Sequence, residues 1–372
     1  MATYQQLQRD PVSRALFNNR ITTMEGLQRT LKDHAFIALD TEHGSIESGK
    51  SRALYQIGFA YLPTMAPCVE IPGQPRLDDF ISKNQIQSLT LNINISEQTR
   101  EDIIRHRGGI PNRRPSRFGY ERQVNLDDLE SAVIEFIESH NSTKLVLVGF
   151  EMPAEWNYLL RNFPKAIPYF SSWMDLRDIA KDITAAIGVI SGRVSVLQTL
   201  GYNWKDIKGS NEHGTADNAA NDAISVLAMA NGFLNPENQE KLRFRQKCSQ
   251  IARHTYNETK ITFGAAIQSQ EGSLPNTINS SMKLARYFLD FMPTSTGLKS
   301  AEIAFITFEN ESYLNQFIQA NNQRLLPTGE ILSVVPIIKA SARAKEAAER
   351  EEKRRLRAIK KAESFENVYI PI

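Results

Sequence analysis

The chain has 372 residues, of which 41% are hydrophobic and 23% are charged, and this composition excludes a protein that is disordered throughout. The 44 basic and 42 acidic side chains nearly balance, so any contact with a polyanion must come from local clusters of charge. Two cysteines are too few for a disulfide framework or a cysteine-rich zinc site, and no apolar stretch is long enough for a membrane span. We therefore expect a protein of the cytosol or the nucleus that does not contact membranes.

The first third of the chain predicts a helical lead-in, two strands and an insertion. Residues up to His34 have helical patterning, and the apolar run 35–39 predicts a strand that ends in an Asp-Thr-Glu motif. A second strand follows at about 53–61, which indicates an antiparallel hairpin. Residues 72–125 contain proline, glycine and many arginines, and we interpret them as a basic insertion between core elements.

Alternating strands and helices return after residue 125 and predict an α/β domain with a mixed sheet that ends near residue 233. The segment 144–149 is the most apolar of these and is typical of a buried strand. The predicted elements are a helix at 126–139, a strand at 144–149, a helix at 153–162, a strand and a helix within 168–183, and helices at 193–200 and 218–232.

A second, smaller domain is predicted after a polar and basic linker helix at 234–258. Residues 259–340 alternate strands with helices in the manner of a small α+β sandwich. The tail, 341–372, places acidic and basic side chains four residues apart, which predicts a charged and solvated helix. The strands of this domain are predicted at 261–267, 302–308 and 331–337, and its helices at 278–291 and 311–321.

Two carboxylates mark the end of the first predicted strand. Residues two apart in an extended strand point to the same side, so the side chains of Asp40 and Glu42 project together. Neighbouring anions repel each other unless a cation neutralises them, and hard oxygen ligands suit Mg²⁺ or Mn²⁺. The pair therefore indicates a metal site; the alternative is that Asp40 caps a turn while Glu42 is simply solvated.

Further acidic segments follow in the order of a known family. Residues 148–155 (VGFEMPAE) follow an apolar strand, and residues 217–223 (DNAANDA) begin a predicted helix. With the Asp-Thr-Glu motif, these segments resemble the three motifs of the DEDD superfamily of 3′–5′ exonucleases, most closely its fungal exonuclease-like branch. The segment 56–60 (QIGFA) also resembles the Glu-Ile-Gly strand of that family. The resemblance covers residues 34–232 and implies a ribonuclease-H-like mixed sheet with flanking helices.

This resemblance implies a site for two divalent metal ions, Mg²⁺ or Mn²⁺, that stabilise the attacking and leaving oxygens of a phosphodiester. The family has an Asp where this chain has Glu155, and its general-base His is replaced by Asp217. His213, four residues earlier, is a candidate substitute base, whereas Asp217 is also a good residue for capping the next helix. The implied metal ligands are Asp40, Glu42, Glu155 and Asp222.

These departures predict a degenerate active site. Glu in place of Asp moves the carboxylate by one methylene group, and Mg²⁺ tolerates poor geometry badly, while Asp in place of His is a weak base. We therefore expect an RNA-binding protein on a 3′–5′ exonuclease fold that is inactive or weakly active. The alternatives are an active metal-dependent 3′–5′ exoribonuclease, and a structural or protein-interaction subunit of an RNA-processing or RNA-silencing assembly.

Arginines alternate with aromatic residues within the segment 105–122 (RHRGGIPNRRPSRFGYER). Guanidinium groups pair with phosphates and aromatic rings stack on unpaired bases, so the segment predicts a contact with single-stranded RNA at the periphery of the core. The alternative is a solvated basic loop. The candidate RNA-binding residues are Arg105, Arg107, Arg113, Arg114, Arg117, Phe118 and Tyr120.

The second domain resembles an RNA-recognition motif, chiefly between residues 296 and 321. Its segment 303–308 (IAFITF) stands where that family's third strand has its RNA-binding signature, but the signature is incomplete. Phe305 is the surviving aromatic that could stack on a base. The resemblance implies a ferredoxin-like α+β domain that contacts a protein partner or binds RNA weakly. The matching positions are Ala304, Phe305, Ile306 and Phe308.

Overall fold

A computed structural model of the chain divides it into two compact units, Met1–Phe244 and Arg245–Ile372. The boundary falls inside the predicted linker at 234–258, where the structure has one continuous helix, Pro236–Ile251. The described residues are 10–46, 52–66, 74–110, 112–186, 190–208, 215–216, 218–252, 261–270 and 272–337, with Lys353 and Leu356.

Strands and helices alternate through the first unit. Its strands are β1 (Arg20–Ile21), β2 (Ala35–Ser45), β3 (Arg52–Leu62), β4 (Gln87–Asn94), β5 (Asn112–Arg113), β6 (Tyr120–Asn125), β7 (Leu145–Gly149), β8 (Phe170–Asp175) and β9 (Thr215–Ala216). Its helices are α1 (Pro11–Asn18), α2 (Met24–Thr30), α3 (Leu77–Asn84), α4 (Glu97–Arg107), α5 (Leu129–Glu138), α6 (Pro153–Asn162), α7 (Leu176–Thr184), α8 (Arg193–Thr199), α9 (Trp204–Lys208) and α10 (Ala219–Phe233). Helix α11 (Pro236–Ile251) crosses the boundary between the units, and 3₁₀ turns lie at Leu126–Asp128 and Pro164–Tyr169.

Seven strands form one mixed sheet in the order β1-β8-β7-β2-β3-β4-β6. Strands β1, β8, β7 and β2 are parallel to their neighbours in that row, and β4 is parallel to β6. Between them, β2, β3 and β4 pair antiparallel. The predicted α/β class and mixed sheet are therefore confirmed. Strands β5 and β9 form a separate parallel pair.

Apolar layers cover both faces of the large sheet. Helices α3, α7, α8 and α10 contribute to one layer, and α1, α5 and α6 contribute to the other. Strand β7 is buried at every residue, as expected for a central parallel strand with helices on both faces. All 15 residues of α10 are buried as well, so this alanine-rich helix lies inside its layer rather than on the surface.

The interpretation of residues 72–125 as an insertion between core elements is wrong in part, because β4 and β6 are strands of the main sheet. Polar and apolar residues alternate along β4. Its residues Leu91 and Ile93 lie in the apolar core, whereas Thr90 and Asn92 are buried and hydrogen-bonded. A strand whose second face consists of buried polar residues lacks the apolar character by which strands are recognised in a sequence.

An antiparallel sheet of four strands, in the order β11-β12-β10-β13, forms the second unit with two helices, α12 and α13, that pack into the same apolar core. The predicted small α+β domain is confirmed at this level. Strand β11 (Ser295–Leu298) is additional, because no strand was predicted between the helix at 278–291 and the strand at 302–308. The elements are β10 (Phe263–Ser269), α12 (Ser281–Tyr287), β11 (Ser295–Leu298), β12 (Ile303–Phe308), α13 (Glu311–Asn321) and β13 (Leu332–Pro336).

The C-terminal part differs from its prediction in one helix. The helix predicted at 278–291 is shorter than expected, because α12 ends at Tyr287 and a 3₁₀ turn follows at Leu289–Phe291. Of the predicted charged tail, only Lys353 and Leu356 lie within the described residues, and both are helical. Across the part of the chain that the structure describes, no helix combines the length and the apolar character needed to cross a bilayer.

Candidate metal centre

Strands β2 and β3 place two carboxylates on one face of the sheet. In their antiparallel pairing Asp40 lies opposite Gly58 and Glu42 lies opposite Gln56, so all four residues share a face. The register is regular as far as Glu42 and shifts before His43. The side chains of Asp40 and Glu42 therefore project together, as the spacing of the motif predicted.

Gly58 allows helix α10 to contact this face. A Cβ atom at position 58 would lie 2.0 Å from the backbone carbonyl carbon of Ala219 and 2.0 Å from the backbone nitrogen of Ala220. Such a distance is far below any van der Waals contact, so a residue without a side chain is required where the two backbones meet. Because α10 begins at Ala219, Asp222 falls in its first turn, beside the two strand carboxylates.

Buried hydrogen bonds fix the start of α10. Asn218 is the N-cap residue, and its Oδ1 accepts from the backbone N–H of Ala220 at 3.1 Å and of Asn221 at 3.2 Å. The hydroxyl of Thr90 donates to the same oxygen at 3.0 Å. The cap is therefore Asn218, and the alternative role of Asp217 as the cap of this helix is wrong; Asp217 itself lies outside the described residues.

A buried glutamine joins strand β3 to the same helix end. The Oε1 of Gln56 accepts a hydrogen bond from the backbone N–H of Ala219 at 2.8 Å, and its Nε2 donates to Asn92 at 2.8 Å. The side chain is completely buried, so both polar ends have their partners inside the protein. Strands β3 and β4 thus hold the first turn of α10, and with it Asp222, at a fixed place on the sheet.

Three of the four predicted ligands come together at this place. Asp40, Glu42 and Asp222 each offer an oxygen that lies within 4.8 Å of the oxygens of the other two. The side chain of Asp222 is 5% exposed and that of Asp40 is 21% exposed. Carboxylate oxygens at this spacing, partly shielded from water, could hold a metal ion.

Glu155, the fourth predicted ligand, does not belong to this group. It lies in the first turn of α6 and is buried, and its Oε1 accepts a hydrogen bond from the hydroxyl of Thr41 at 3.4 Å. Its Oε2 has no hydrogen-bond partner among the described residues. Burial, and next the charge of Asp40, raise the pKa of Glu155 well above its ordinary range. The carboxyl group of Glu155 therefore lies close enough to Asp40 for the charge of Asp40 to affect it, although Glu155 is not one of the clustered carboxylates.

Burial also shifts the carboxylates of the cluster. It raises the pKa of Asp40 to about 7, against the attraction of Arg193 and with the repulsion of Asp222. Burial raises the pKa of Glu42 to about 8, and the charges of Asp40 and Asp222 add to that increase. The negative form of this cluster is thus costly, and any cation that enters it is favoured.

Arg193 already lies in the cluster, and the sequence did not predict it. Its guanidinium forms ion pairs with Asp222 and with Asp40, the latter at 3.4 Å, and its side chain is 15% exposed. Arg193 is the first residue of α8, where the helix dipole disfavours a cation. That unfavourable position indicates that tertiary contacts hold this arginine, but it does not identify the carboxylates as its partners. Lys208 lies near as well, and burial lowers its pKa while Asp222 and Glu42 oppose the shift.

The donor atoms have the right chemistry for Mg²⁺ or Mn²⁺, but their arrangement does not fit the two-metal site that the family resemblance implies. Arg193 binds two of the three clustered carboxylates, and Glu155 is bonded to Thr41. The candidate base His213 lies outside the described residues. No family model matches the chain, and no curated protein is significantly similar to it. The function is therefore inferred from the geometry of the site.

The arginine-rich segment lies beside the carboxylate cluster, closer than the predicted periphery. The backbone carbonyl of Arg114 accepts a hydrogen bond from Asn218 at 3.1 Å, and the backbone N–H of Arg117 donates to Asn221 at 3.1 Å. The guanidinium of Arg117 lies 4.4 Å from the ring centre of Phe118, which packs against the apolar core. These contacts tie the segment to the start of α10.

Other candidate RNA-binding residues are more exposed. Tyr120 is 84% exposed, and Arg105 and Arg107 lie on the surface of α4, where Arg105 pairs with Asp102 at 3.2 Å. The backbone of Arg113 belongs to β5 and pairs with β9, but its side chain is not among those described. The ring of Tyr120 is exposed as base stacking requires, but it lies on the face of the sheet opposite the carboxylates, because Tyr120 pairs with Leu89 whereas Glu121 pairs with Thr90, which lies opposite Gly58.

The prediction that Phe305 stacks on RNA bases is wrong. Its ring is 2% exposed, because Ile261, just before β10, and Ile337, just after β13, pack over it. The strand itself, β12, is where the sequence predicted it. The motif indicates which residues share a strand, but it does not reveal that distant residues cover that face of the sheet.

Glu42→Gln tests the electrostatics of the cluster through the pH dependence of stability. A carboxyl whose pKa rises from 4.5 to about 8 on folding favours the native state fully below pH 4.5, and this contribution is lost as the pH rises to about 8. The neutral glutamine has no such loss. As the pH rises from 4.5 to 8, the free energy of unfolding of the variant should therefore increase by about 2 kcal/mol relative to that of wild type, a value reduced to allow for the partial exposure of Glu42. Urea unfolding at pH 5 and pH 8 measures this difference. If the difference in unfolding free energy between the variant and wild type did not change with pH, the raised pKa of Glu42 would be contradicted.

Proposed function

We propose that the chain is an RNA-binding protein built on a ribonuclease-H-like, 3′–5′ exonuclease-type fold whose active site is degenerate, so that hydrolysis is absent or very slow. The row β4-β3-β2-β7-β8, with its antiparallel and parallel halves, supports that fold. So does the convergence of Asp40, Glu42 and Asp222, which come from separate parts of the chain in the order of the family's motifs. A fold alone does not establish an activity, so the proposal rests on the site.

One observation favours a degenerate site over an efficient one: the guanidinium of Arg193 is bound to Asp40 and Asp222. In a two-metal nuclease, carboxylates in these positions bind the ions that stabilise the attacking and leaving oxygens. Here the guanidinium of Arg193 occupies part of the space that those ions would take. Unlike a metal ion, it has no vacant coordination position for a water molecule or a phosphate oxygen. Asp217 at the expected position of the general base points in the same direction.

Basic side chains around the cluster support a polyanion as the partner. Lys208 lies near Glu42 and Asp222, and Arg114 is close enough to Lys208 for their charges to interact. The guanidinium of Arg117 donates instead to the backbone carbonyls of Asp206, at 2.6 Å, and Ile207, at 3.3 Å. Cations of this kind bind phosphate oxygens. The exposed ring of Tyr120 offers a stacking surface for an unpaired base on the opposite face of the sheet. The choice of single-stranded RNA as this polyanion rests on the resemblance to 3′–5′ exonucleases and on that exposed ring.

The strand order of the second unit supports a ferredoxin-like, RNA-recognition-like domain. Because the ring of Phe305 is covered, we propose that this domain contacts a protein rather than RNA bases. A structural or protein-interaction subunit of an RNA-processing or RNA-silencing assembly is the corresponding alternative for the whole chain.

Incubation with single-stranded RNA labelled at its 5′ end, in Mg²⁺ or Mn²⁺, tests the proposal. We expect tight binding without shortening of the RNA. Shortening from the 3′ end that disappears in Asp40→Ala would instead establish the active exoribonuclease, an alternative favoured by the three carboxylates that could hold a metal ion. If the protein neither binds nor shortens the RNA, the structural or protein-interaction subunit is the alternative that remains.

A further inference from the structure

A buried guanidinium lies among the clustered carboxylates. Arg193 pairs with Asp222, whose side chain is 5% exposed, and with Asp40 at 3.4 Å. The arginine is itself 15% exposed, so both partners of the pair with Asp222 are largely shielded from bulk solvent. Helix α8 holds it there, because Val196 and Leu197 of that helix are buried in the same apolar layer as α10.

An arginine in this position can replace a metal ion in neutralising charge. The planar guanidinium donates hydrogen bonds in more than one direction, so that it bridges two carboxylates and remains charged at every accessible pH. Buried carboxylates without a cation are strongly destabilising, whereas a paired set is tolerated. The three acids thus have a counter-ion that is part of the chain, and the fold does not need an external one.

We propose that Arg193 is a built-in counter-cation that occupies the cation position between Asp40 and Asp222, so that a divalent metal ion binds there only when the guanidinium is removed. The cluster is then a latent site for a hard divalent cation such as Mn²⁺ or Mg²⁺, closed in the wild-type protein. This goes beyond RNA binding, and it holds or fails whether or not the protein binds RNA.

Thermal unfolding of the full chain in EDTA and in millimolar Mn²⁺ tests this inference. The wild-type Tm should be the same in both solutions. In Arg193→Gln the Tm in EDTA should fall by about 6–15 °C, because removal of one partner leaves a buried charge uncompensated. Mn²⁺ should restore most of that loss. Electron paramagnetic resonance of Mn²⁺ should show stoichiometric binding to this variant and none to wild type.

Two further variants separate charge from geometry. Arg193→Lys keeps the positive charge and should remain insensitive to Mn²⁺. Arg177→Gln removes an arginine that pairs with Glu151 at 2.8 Å outside the cluster, and its Tm should not respond to Mn²⁺. A response equal to that of Arg193→Gln would mean that the metal acts elsewhere, and the inference would be overturned.

Wild-type protein provides a test that does not depend on the stability of any variant. Stoichiometric Mn²⁺ binding to wild type that is lost in Asp222→Asn would overturn the proposal, because the site would then be open with Arg193 in place. If Arg193→Gln does not fold in EDTA, refolding in Mn²⁺ should rescue it. Failure of that rescue, with the Arg193→Gln/Asp222→Asn double variant folded, would equally count against a latent metal site.

Discussion

Alanine at position 58 is expected to lower the free energy of unfolding by about 3 kcal/mol, a large effect for one methyl group. The added Cβ would lie 2.0 Å from backbone atoms of Ala219 and Ala220, so the strand or the helix must move. Neither has room, because β3 is paired on both sides and α10 is buried along its whole length. Urea unfolding should show a lower midpoint with little change in slope.

Gly109→Ala is the matched control for this substitution. No described atom outside its chain neighbours lies within 4 Å of a Cβ built at Gly109, so the expected change in unfolding free energy is below about 0.5 kcal/mol. If both variants unfolded at the same urea concentration, the close contact between β3 and α10 would not exist. The placement of Asp222 beside the strand carboxylates would then lose its basis.

The elements around the site could be predicted because their signals are local. The apolar run before Asp40 and the apolar run predicted at 144–149 are strands in the structure, β2 and β7, the latter buried from Leu145 to Gly149. The helix predicted at 218–232 is α10, displaced by one residue. The meeting of Asp222 with Asp40 was a different kind of prediction, since it came from the order of motifs in a resembling family and not from any local pattern.

Tertiary packing decided what the sequence could not reveal. Arg193 is one of 44 basic residues, and only the packing of α8 brings it to the carboxylates. Glu155 is in the predicted helix, yet its carboxyl group bonds Thr41. Phe305 is in the predicted strand, but its ring is covered by Ile261, which precedes the first strand of the domain, and by Ile337, which follows the last. In each case the helix or strand could be predicted from neighbouring residues, whereas the partner of the side chain lies far away in the sequence.

These distant partners share a consequence for the charge of the site. The family resemblance implies metal ions at the carboxylate cluster. This chain instead has two cationic side chains there, Arg193 inside the cluster and Lys208 beside it. A cleft neutralised by side chains can attract a phosphate backbone without a metal ion, whereas an acidic cleft without ions would repel it. RNA binding that persists in EDTA is therefore the behaviour that distinguishes this arrangement from a metal-dependent nuclease.

Reversing the charges of Arg114 and Lys208 together is expected to weaken the binding of single-stranded RNA by about 30-fold, because two phosphate contacts become repulsive. Lys208 ends α9 near Asp222, and Arg114 is close enough to Lys208 for their charges to interact. The slope of log K against log salt concentration should also fall by about 1.4, the value for two lost contacts to a single strand. Fluorescence anisotropy with labelled RNA over a range of salt concentrations measures both quantities.

The control carries the same change in net charge at another place. Arg161→Glu/Lys165→Glu reverses two basic residues: Arg161, near the end of α6 and about 9 Å along that helix from Glu155, and Lys165, in the 3₁₀ turn that follows. Both double variants change the overall field of the protein equally, so a difference between them reports local phosphate contacts. Equal losses of affinity would show that RNA responds to net charge alone, which would contradict the proposal that RNA binds at the surface beside the carboxylate cluster.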